Sequence, residues 1–181
     1  MPYDVPPDLN ALTLSQAAEL MAARKLPPVS QWSPAVIGDS EMRIAADGRW
    51  FHQGGEIRRP AMVRAFASLL LRDDEGRHWL VTPAEKLSIE VEDAAFIATD
   101  VRAEGDALVF RLNTDDLVIA GPDHPIRSHG DPETPAIYLS VRNGTEARLN
   151  RSTYGQLAEI AFAGGDLSVT SQGATFDLVP A

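Results

Sequence analysis

The stretch GGEIRRPAMVRAFASLLL, residues 54–71, decides how the rest of the chain is read, because it joins a glycine turn, a run of cations and an apolar helical stripe. Met62, Val63, Phe66, Leu69 and Leu70 fall close to the i, i+3, i+4, i+7 spacing that gives an α-helix one buried face. Pro60 suits the first helical position, where its missing N–H costs nothing and its φ is already helical. Gly54-Gly55 supplies the turn before the helix. Arg58 and Arg59 precede it and Arg64 lies one turn in, where the macrodipole is already positive and an exposed cation costs about 0.3–1 kcal/mol. An anion would relieve the conflict. It could be a carboxylate of the chain itself, or a phosphate or carboxylate ligand held by the free backbone N–H groups and the arginines.

Upstream, the pattern predicts a helix over Leu12 to Lys25, with Thr13 or Ser15 as N-cap and Pro27-Pro28 as its end. Val29 to Ser40 reads as an extended connection packed through Trp32. Asp47-Gly48 between Met42–Ala45 and Arg49–His52 is a hairpin signal. Downstream, strands are expected near His78 to Thr82, Leu87 to Val91, Phe96 to Arg102, Leu108 to Leu112 and Leu117 to Ile119. Gly121 to Pro135 reads as a long surface loop, the kind that often carries function. A strand at Ile137 to Val141, a turn at Arg142-Asn143-Gly144, a strand to Leu149, a helix from Arg151 to Ala163 capped by Asn150, and two strands, Leu167 to Thr170 and Thr175 to Val179, complete the pattern.

The fold expected is therefore α+β: two related small domains, each a mostly antiparallel sheet with one main helix. The boundaries are 1–93, carrying the added N-terminal helix, and 94–181. A shift of about 91 places, laying Val63, Phe66, Leu69 and Leu70 over Tyr154, Leu157, Ile160 and Ala161, suggests an internal duplication.

The net charge of −10 over 181 residues argues against non-specific binding to nucleic acid or to an anionic membrane. It leaves room for one local basic pocket. Lys25 and Lys86 are the only lysines among sixteen cationic residues, so arginine dominates, as bidentate anion recognition or arginine-rich codon usage would have it. With no cysteine, disulfides, thiolate metal sites and cysteine nucleophiles are excluded. No apolar run approaches the ~20 residues of a membrane span, and PYDVPPDLN after Met1 lacks the basic start and apolar core of a secretory signal. A cytoplasmic location is expected.

Trp50-Phe51-His52, Gly54, Ile57, Arg59-Pro60, Trp79-Leu80-Val81-Thr82-Pro83, Glu85-Lys86, Ile89 and Val91-Glu92-Asp93, with Arg142-Asn143-Gly144, Ala147-Arg148-Leu149, Arg151 and Tyr154 later on, carry a resemblance. Together they resemble the proteobacterial domain-of-unknown-function family numbered twelve eighty-five, over about Trp32 to the end. The chain departs from the pattern at Ala95, where the resemblance implies Pro before Phe96. The family has no established activity. The resemblance implies a duplicated α+β core, a C-terminal domain similar to pleckstrin-homology folds, a pocket between the domains, a nucleotide-like ligand and a role in signal transduction.

Candidate ligand contacts are Arg58, Arg59, Arg148 and Arg151 at the two helix starts, with Lys86, Thr82 and Tyr154 as point charge or hydroxyl donors. Each has a structural alternative, for Lys86 a solvated ion pair at a hairpin tip. Glu92 and Asp93 could orient the arginines. His124 and His129, with Asp115, Asp116, Asp123 and Asp131, match no metal-ligand spacing. No phosphate loop, dinucleotide glycine pattern or nucleophile elbow occurs, and neither a metal nor a cofactor is expected. Trp50, Trp79, Phe51, Phe66 and Tyr138 could stack a base, although core packing is the commoner use of such residues.

No catalytic residue is assigned. The leading function is non-catalytic binding of an anionic, nucleotide-like small molecule at the domain interface. The alternatives are a hydrolase of phosphorylated or nucleotide-like compounds using Glu92 or Asp93 as base, and a protein-interaction module with a signalling partner, for which an exposed apolar patch would speak.

Overall fold

A computed structural model describes residues 13–180. Leu12, the expected first helical residue, and the proline-rich stretch before it lie outside the described residues. Two six-stranded sheets and a two-stranded one are formed within them.

Sheet 1 holds β1 (Val36–Ile44), β2 (Trp50–His52), β3 (Gly55–Ile57), β4 (Leu70–Arg72), β5 (His78–Val81) and β6 (Glu85–Val91), in the order β3-β2-β1-β6-β5-β4. β1 and β6 run parallel and the neighbouring pairs outside them are antiparallel. The Asp47-Gly48 hairpin forms as expected: Ile44 faces Trp50, Gly48 has φ 91°, and the Ala45 N–H donates to Arg49 O at 2.8 Å. Gly54 does not lead directly into the helix. Instead Gln53 (φ 50°) and Gly54 (φ 83°) make a second two-residue turn, since both positive φ values suit the right-handed twist of a hairpin. The chain then pairs as β3 before the helix begins.

That helix, α2 (Pro60–Ala67), has proline in its first turn and ends at Ser68. It stops short of Leu70, the last residue of the expected stripe, because Leu70 and Leu71 are taken into β4, opposite Leu80 and Trp79. Alternation along β1 and β2 buries Met42, Ile44 and Trp50 while Arg43 and Phe51 face the other way. Phe66 of α2 stacks on Trp50 with ring centroids 6.4 Å apart, so the expected stripe does meet the sheet core. The connection before β1 contains a short 3-10 turn, Val29–Gln31, that buries Val29.

Sheet 2 holds β7 (Phe96–Glu104), β8 (Ala107–Leu112), β9 (Leu117–Ile119), β10 (Ile126–Asp131), β11 (Thr134–Ser140) and β12 (Glu146–Leu149), in the order β10-β11-β12-β7-β8-β9. The stretch expected to be a loop, Gly121 to Pro135, supplies all of β10 and the start of β11. Its polar residues hid a period-2 pattern in which Ile126 is buried and Arg127 and His129 are exposed, paired with Leu139, Tyr138 and Ala136. α3 (Arg151–Ala163) matches the sequence reading at both ends. The Asn150 side chain accepts from the Thr153 N–H at 2.8 Å, and Thr153, Leu157 and Ala161 form a buried stripe at four-residue spacing. β13 (Ser168–Ser171) and β14 (Ala174–Asp177) close the chain as a hairpin. The buried Ser171 hydroxyl donates to Ala120 O and accepts from the Leu108 N–H, tying β13 to the edge of β8.

Counted from their own first strands, both sheets follow the order third-second-first-sixth-fifth-fourth. The duplication thus lies in two three-stranded meanders joined through their first and last strands. The helices do not occupy matching places: α2 falls between the third and fourth strands of its sheet, and α3 follows the sixth of its own. A shift that superposes the helices therefore misaligns the strands. β1 corresponds to β7, an offset nearer 60 places than 91 (36 to 96).

By compactness, Lys25–Phe96 with Val141–Glu146 forms one unit around sheet 1, and the other described residues form a unit around sheet 2. α1 (Leu14–Ala23) belongs to the second and not to the first domain, where its place in the chain would put it. Its Ala17, Leu14 and Met21 pack with Val109, Leu117 and Ile119, and Arg24 after it pairs with the buried Asp116 at 2.8 Å. Thr13 caps it reciprocally with Gln16. In the first unit, Asn143 O accepts from the Arg72 N–H at 2.9 Å, and Gly144 (φ 78°) lies so close that a Cβ would stand 2.4 Å from Arg72 O.

Candidate functional site

Within the sheet 1 unit, the singled-out residues carry identifiable structural tasks. Glu92 holds the β1–β2 turn: its carboxylate takes Arg43 at 2.5 Å and the Ala46 N–H at 2.8 Å. Thr82 Oγ1 accepts from the Ala84 and Glu85 N–H groups, shaping the β5–β6 turn. Lys86 is paired opposite Val81, just beyond that turn, and its Nζ stands 4.5 Å over the Trp79 ring. Arg58 is 84% exposed and touches Glu56 at 3.1 Å. Arg59 is the N-cap of α2, extended as a residue before proline must be, and makes no side-chain cap. The first turn of α2 contains no acidic residue.

A cavity of about 450 Å³ opens in the same unit where β1 is bulged. Asp39 lies opposite Ser88 but Arg43 opposite Glu90, so β1 advances faster than its partner, and Glu41 takes φ 57°. Asp39, Glu41 and Glu90 bring three carboxylates to the lining, with Phe51 and Met42 beside them. The Arg43 guanidinium there lies 4.4 Å over Phe51.

The same unit contains a perturbed imidazole. Burial, reinforced by the Arg72 guanidinium, pushes His78 down from 6.5 to about 4, against the opposite pull of Asp73 and Glu146. Asp73 is itself held below 3.8, first by the Trp79 indole N–H at 3.0 Å and then by the Arg77 backbone N–H. Arg72 pairs with Glu146 at 2.7 Å.

Sheet 2 gathers aromatic and cationic groups on its solvent-side face. Arg148 of β12 lies 5.7 Å over the Tyr138 ring of β11. His129 of β10 meets the same ring edge-on at 5.4 Å. Arg127, directly across from Tyr138 in the ladder, is exposed and shares that face by alternation. Arg151 is exposed at the first position of α3, and Tyr154, half-buried, lies in its first turn with its N–H donated to Asn150 O. Of the sequence candidates, Arg148 thus joins a cluster, whereas Arg151 and Tyr154 lie along the first turn of α3. Tyr138, Arg127 and His129 were missed as a group, because two of them stood in the supposed loop and Tyr138 read as core. The signal available was the alternation from Ile126 onward. His124 faces elsewhere, its Nδ1 3.1 Å from Ser140 O. Among the described residues no three His, Asp or Glu side chains converge as metal ligands. No helix among them is long and apolar enough to cross a membrane.

Residues 27–94 match the N-terminal "Domain of unknown function (DUF1285)" and residues 95–178 the C-terminal domain of the "Protein of unknown function (DUF1285)". The chain belongs to the DUF1285 family. A crystal structure of a DUF1285 family protein from Silicibacter pomeroyi DSS-3 is similar to it over 94% of this chain and 97% of that one, with 39% identity and a TM-score of 0.76. A second, from Shewanella baltica OS155, covers 65% of this chain and 90% of its own, with 24% identity and a TM-score of 0.54, a likeness of fold. No curated protein matches the sequence. The family carries no established function, so the chemistry of this DUF1285 chain rests on its own residues.

Proposed function

We propose that this protein binds, without catalysis, an anionic small molecule that also offers a flat ring, as a nucleotide does. The observation that carries the reading is the Arg148–Tyr138–His129 cluster of sheet 2, with Arg127 across the ladder. A ring can stack on an aromatic or guanidinium face, and a phosphate takes arginine bidentately. Arg151 and Tyr154, three and six residues beyond Arg148, are the candidates to extend the contact. Arg58 and Arg59 at the uncapped start of α2 are a separate cationic feature that a free phosphate could meet. Binding rather than hydrolysis is favoured because Glu92, one of the two carboxylates that catalysis could use as base beside Asp93, has both oxygens engaged by Arg43 and Ala46. A ligand-dependent role in signal transduction would follow from such binding.

The test is thermal stabilisation by AMP, adenosine and inorganic phosphate, measured on the parent protein and on Arg148→Ala and Tyr138→Ala. A ligand at 100 times its Kd stabilises by about 2.7 kcal/mol. AMP is expected to stabilise the parent more than either fragment does, and each substitution should remove most of the effect. Equal stabilisation of parent and variants, or none by any of the three compounds, overturns the reading.

A further inference from the structure

β1 is nine residues long, but its two sides are not equally used. β6 runs beside it from Val36 onward, whereas β2 covers only Met42, Arg43 and Ile44. Among the described residues the first part of β1 is therefore an open sheet edge inside an otherwise ordered ladder, presenting the N–H and C=O groups that a strand turns away from its one partner. Two large apolar side chains stand on this edge, Val36 at 58% and Ile37 at 66% exposure. As consecutive strand residues they point to opposite faces of the sheet. A helix or a globular surface docked on one face would cover one of them, while a strand laid along the edge covers both.

The charge beside the edge selects the kind of strand. Asp39 and Glu41 follow directly along β1, and with Glu90 they line the cavity at the bulge, where the Arg43 charge is already answered by Glu92. A second copy of this chain would set two such acidic cavities side by side, on a molecule whose net charge is already −10. We infer that the Val36–Asp39 edge is a docking site for a protein partner that adds an extended segment to sheet 1, apolar where it meets Val36 and Ile37 and basic where it reaches Asp39, Glu41 and Glu90. Backbone pairing supplies the affinity in this mode, and the neighbouring pockets supply the choice of side chains.

The probe is the peptide acetyl-KVKVKV-amide, with acetyl-EVEVEV-amide as its charge-reversed counterpart, followed through the backbone amide resonances of the 15N-labelled full chain. Saturable shifts confined to residues 36–41 and neighbouring β2 are expected with the lysine peptide, and none with the glutamate peptide. Ile37→Lys puts a charge on the open edge and should weaken binding at least tenfold. Glu41→Lys should weaken the lysine peptide and admit the glutamate one. Unchanged amide dispersion away from the edge verifies that each variant is folded, and Val36→Lys replaces Ile37→Lys if that variant is not. The inference is overturned by the absence of saturable shifts at 36–41 up to millimolar peptide, by equal binding of both peptides, or by a self-association that Ile37→Lys abolishes.

Discussion

The two six-stranded sheets share one strand order and differ in nearly everything laid upon it. Sheet 1 is interrupted after its third strand by α2, while sheet 2 completes six strands before α3 begins. Sheet 2 is the more heavily filled. Leu108, Phe110, Leu112, Ile137 and Leu139 on its strands are almost fully buried, where sheet 1 offers Ile44, Trp50 and Leu70. Strand order is thus a property of how two meanders close on each other, and the helix that caps the apolar face enters the chain independently of it. Because the smaller core depends on few large side chains, each of them should carry a larger share of its unit's stability.

Trp50→Ala is the strongest way to break that comparison. Removing a buried, stacked indole should cost about 3–5 kcal/mol, and hydrogen exchange should show amides of β1 to β6 losing protection while those of β7 and β8 keep theirs. Trp50→Phe should cost distinctly less than Trp50→Ala. It keeps a ring against Phe66, and the indole N–H it removes has no hydrogen-bond partner among the described residues. Equal loss of protection in both sheets would mean that the two units unfold as one and that the difference in their cores has no energetic expression.

Sheet 2 also shows what a sequence reveals and what it conceals. α3 was legible to its last residue because a cap, a four-residue apolar stripe and a glycine stop agree: Asn150, then Thr153, Leu157 and Ala161, then Gly164. The hairpin at Asp47-Gly48 was legible because its turn chemistry is local. β3 was not, since Gly54 fits a helix approach as well as a two-residue turn, and only the neighbouring β2 decides between them. β10 was hidden for the same physical reason: Arg127, Ser128, His129 and Gly130 have little strand preference of their own and are held by their ladder with β11. With β10 unseen, the grouping of Arg127 and His129 around Tyr138 had no frame, and only Arg148 stood out. The residues at helix starts were conspicuous because local rules single them out. The residues brought together by register were not.

A second difference between the sheets lies in acid. His78, in sheet 1, has its folded-state pKa near 4 against 6.5 for the free side chain, burial being the main cause and Arg72 the next. The unfolded chain therefore takes up the proton first. This contribution to stability is fully present above about pH 6.5 and is lost as pH falls toward about 4. The loss should be about 1–2 kcal/mol after allowance for solvent screening of a partly exposed ring. Asp73, whose carboxyl the Trp79 N–H holds low, extends the loss to more acid pH, because a depressed carboxylate stabilises only while it is ionised. Urea titrations between pH 7 and pH 4 should show sheet 1 weakening, with the slope reduced in His78→Gln. A slope unchanged by that substitution would transfer the acid sensitivity to other groups.

The smallest effects sharpen the contrast between the two helix starts. α3 opens on Asn150, whose side chain satisfies a first-turn N–H, whereas α2 opens on Arg59, which satisfies none and adds a cation where the dipole is positive. Asn150→Ala should therefore cost about 1 kcal/mol. Arg59→Ser should do the opposite and raise stability by about 0.5 kcal/mol, since serine supplies the missing acceptor and removes the like-charge conflict. Both changes can be read from urea midpoints at low ionic strength, with the m-value constant. Added salt should shrink the charge-derived part of the gain at Arg59 but leave the loss at Asn150 nearly unchanged, because screening acts on the cation and not on a short side-chain-to-backbone hydrogen bond. If Arg59→Ser instead destabilises the protein, the guanidinium has a partner whose loss outweighs the dipole penalty. The start of α2 would then be a structural junction, and it would no longer be available as a cationic feature for a phosphate.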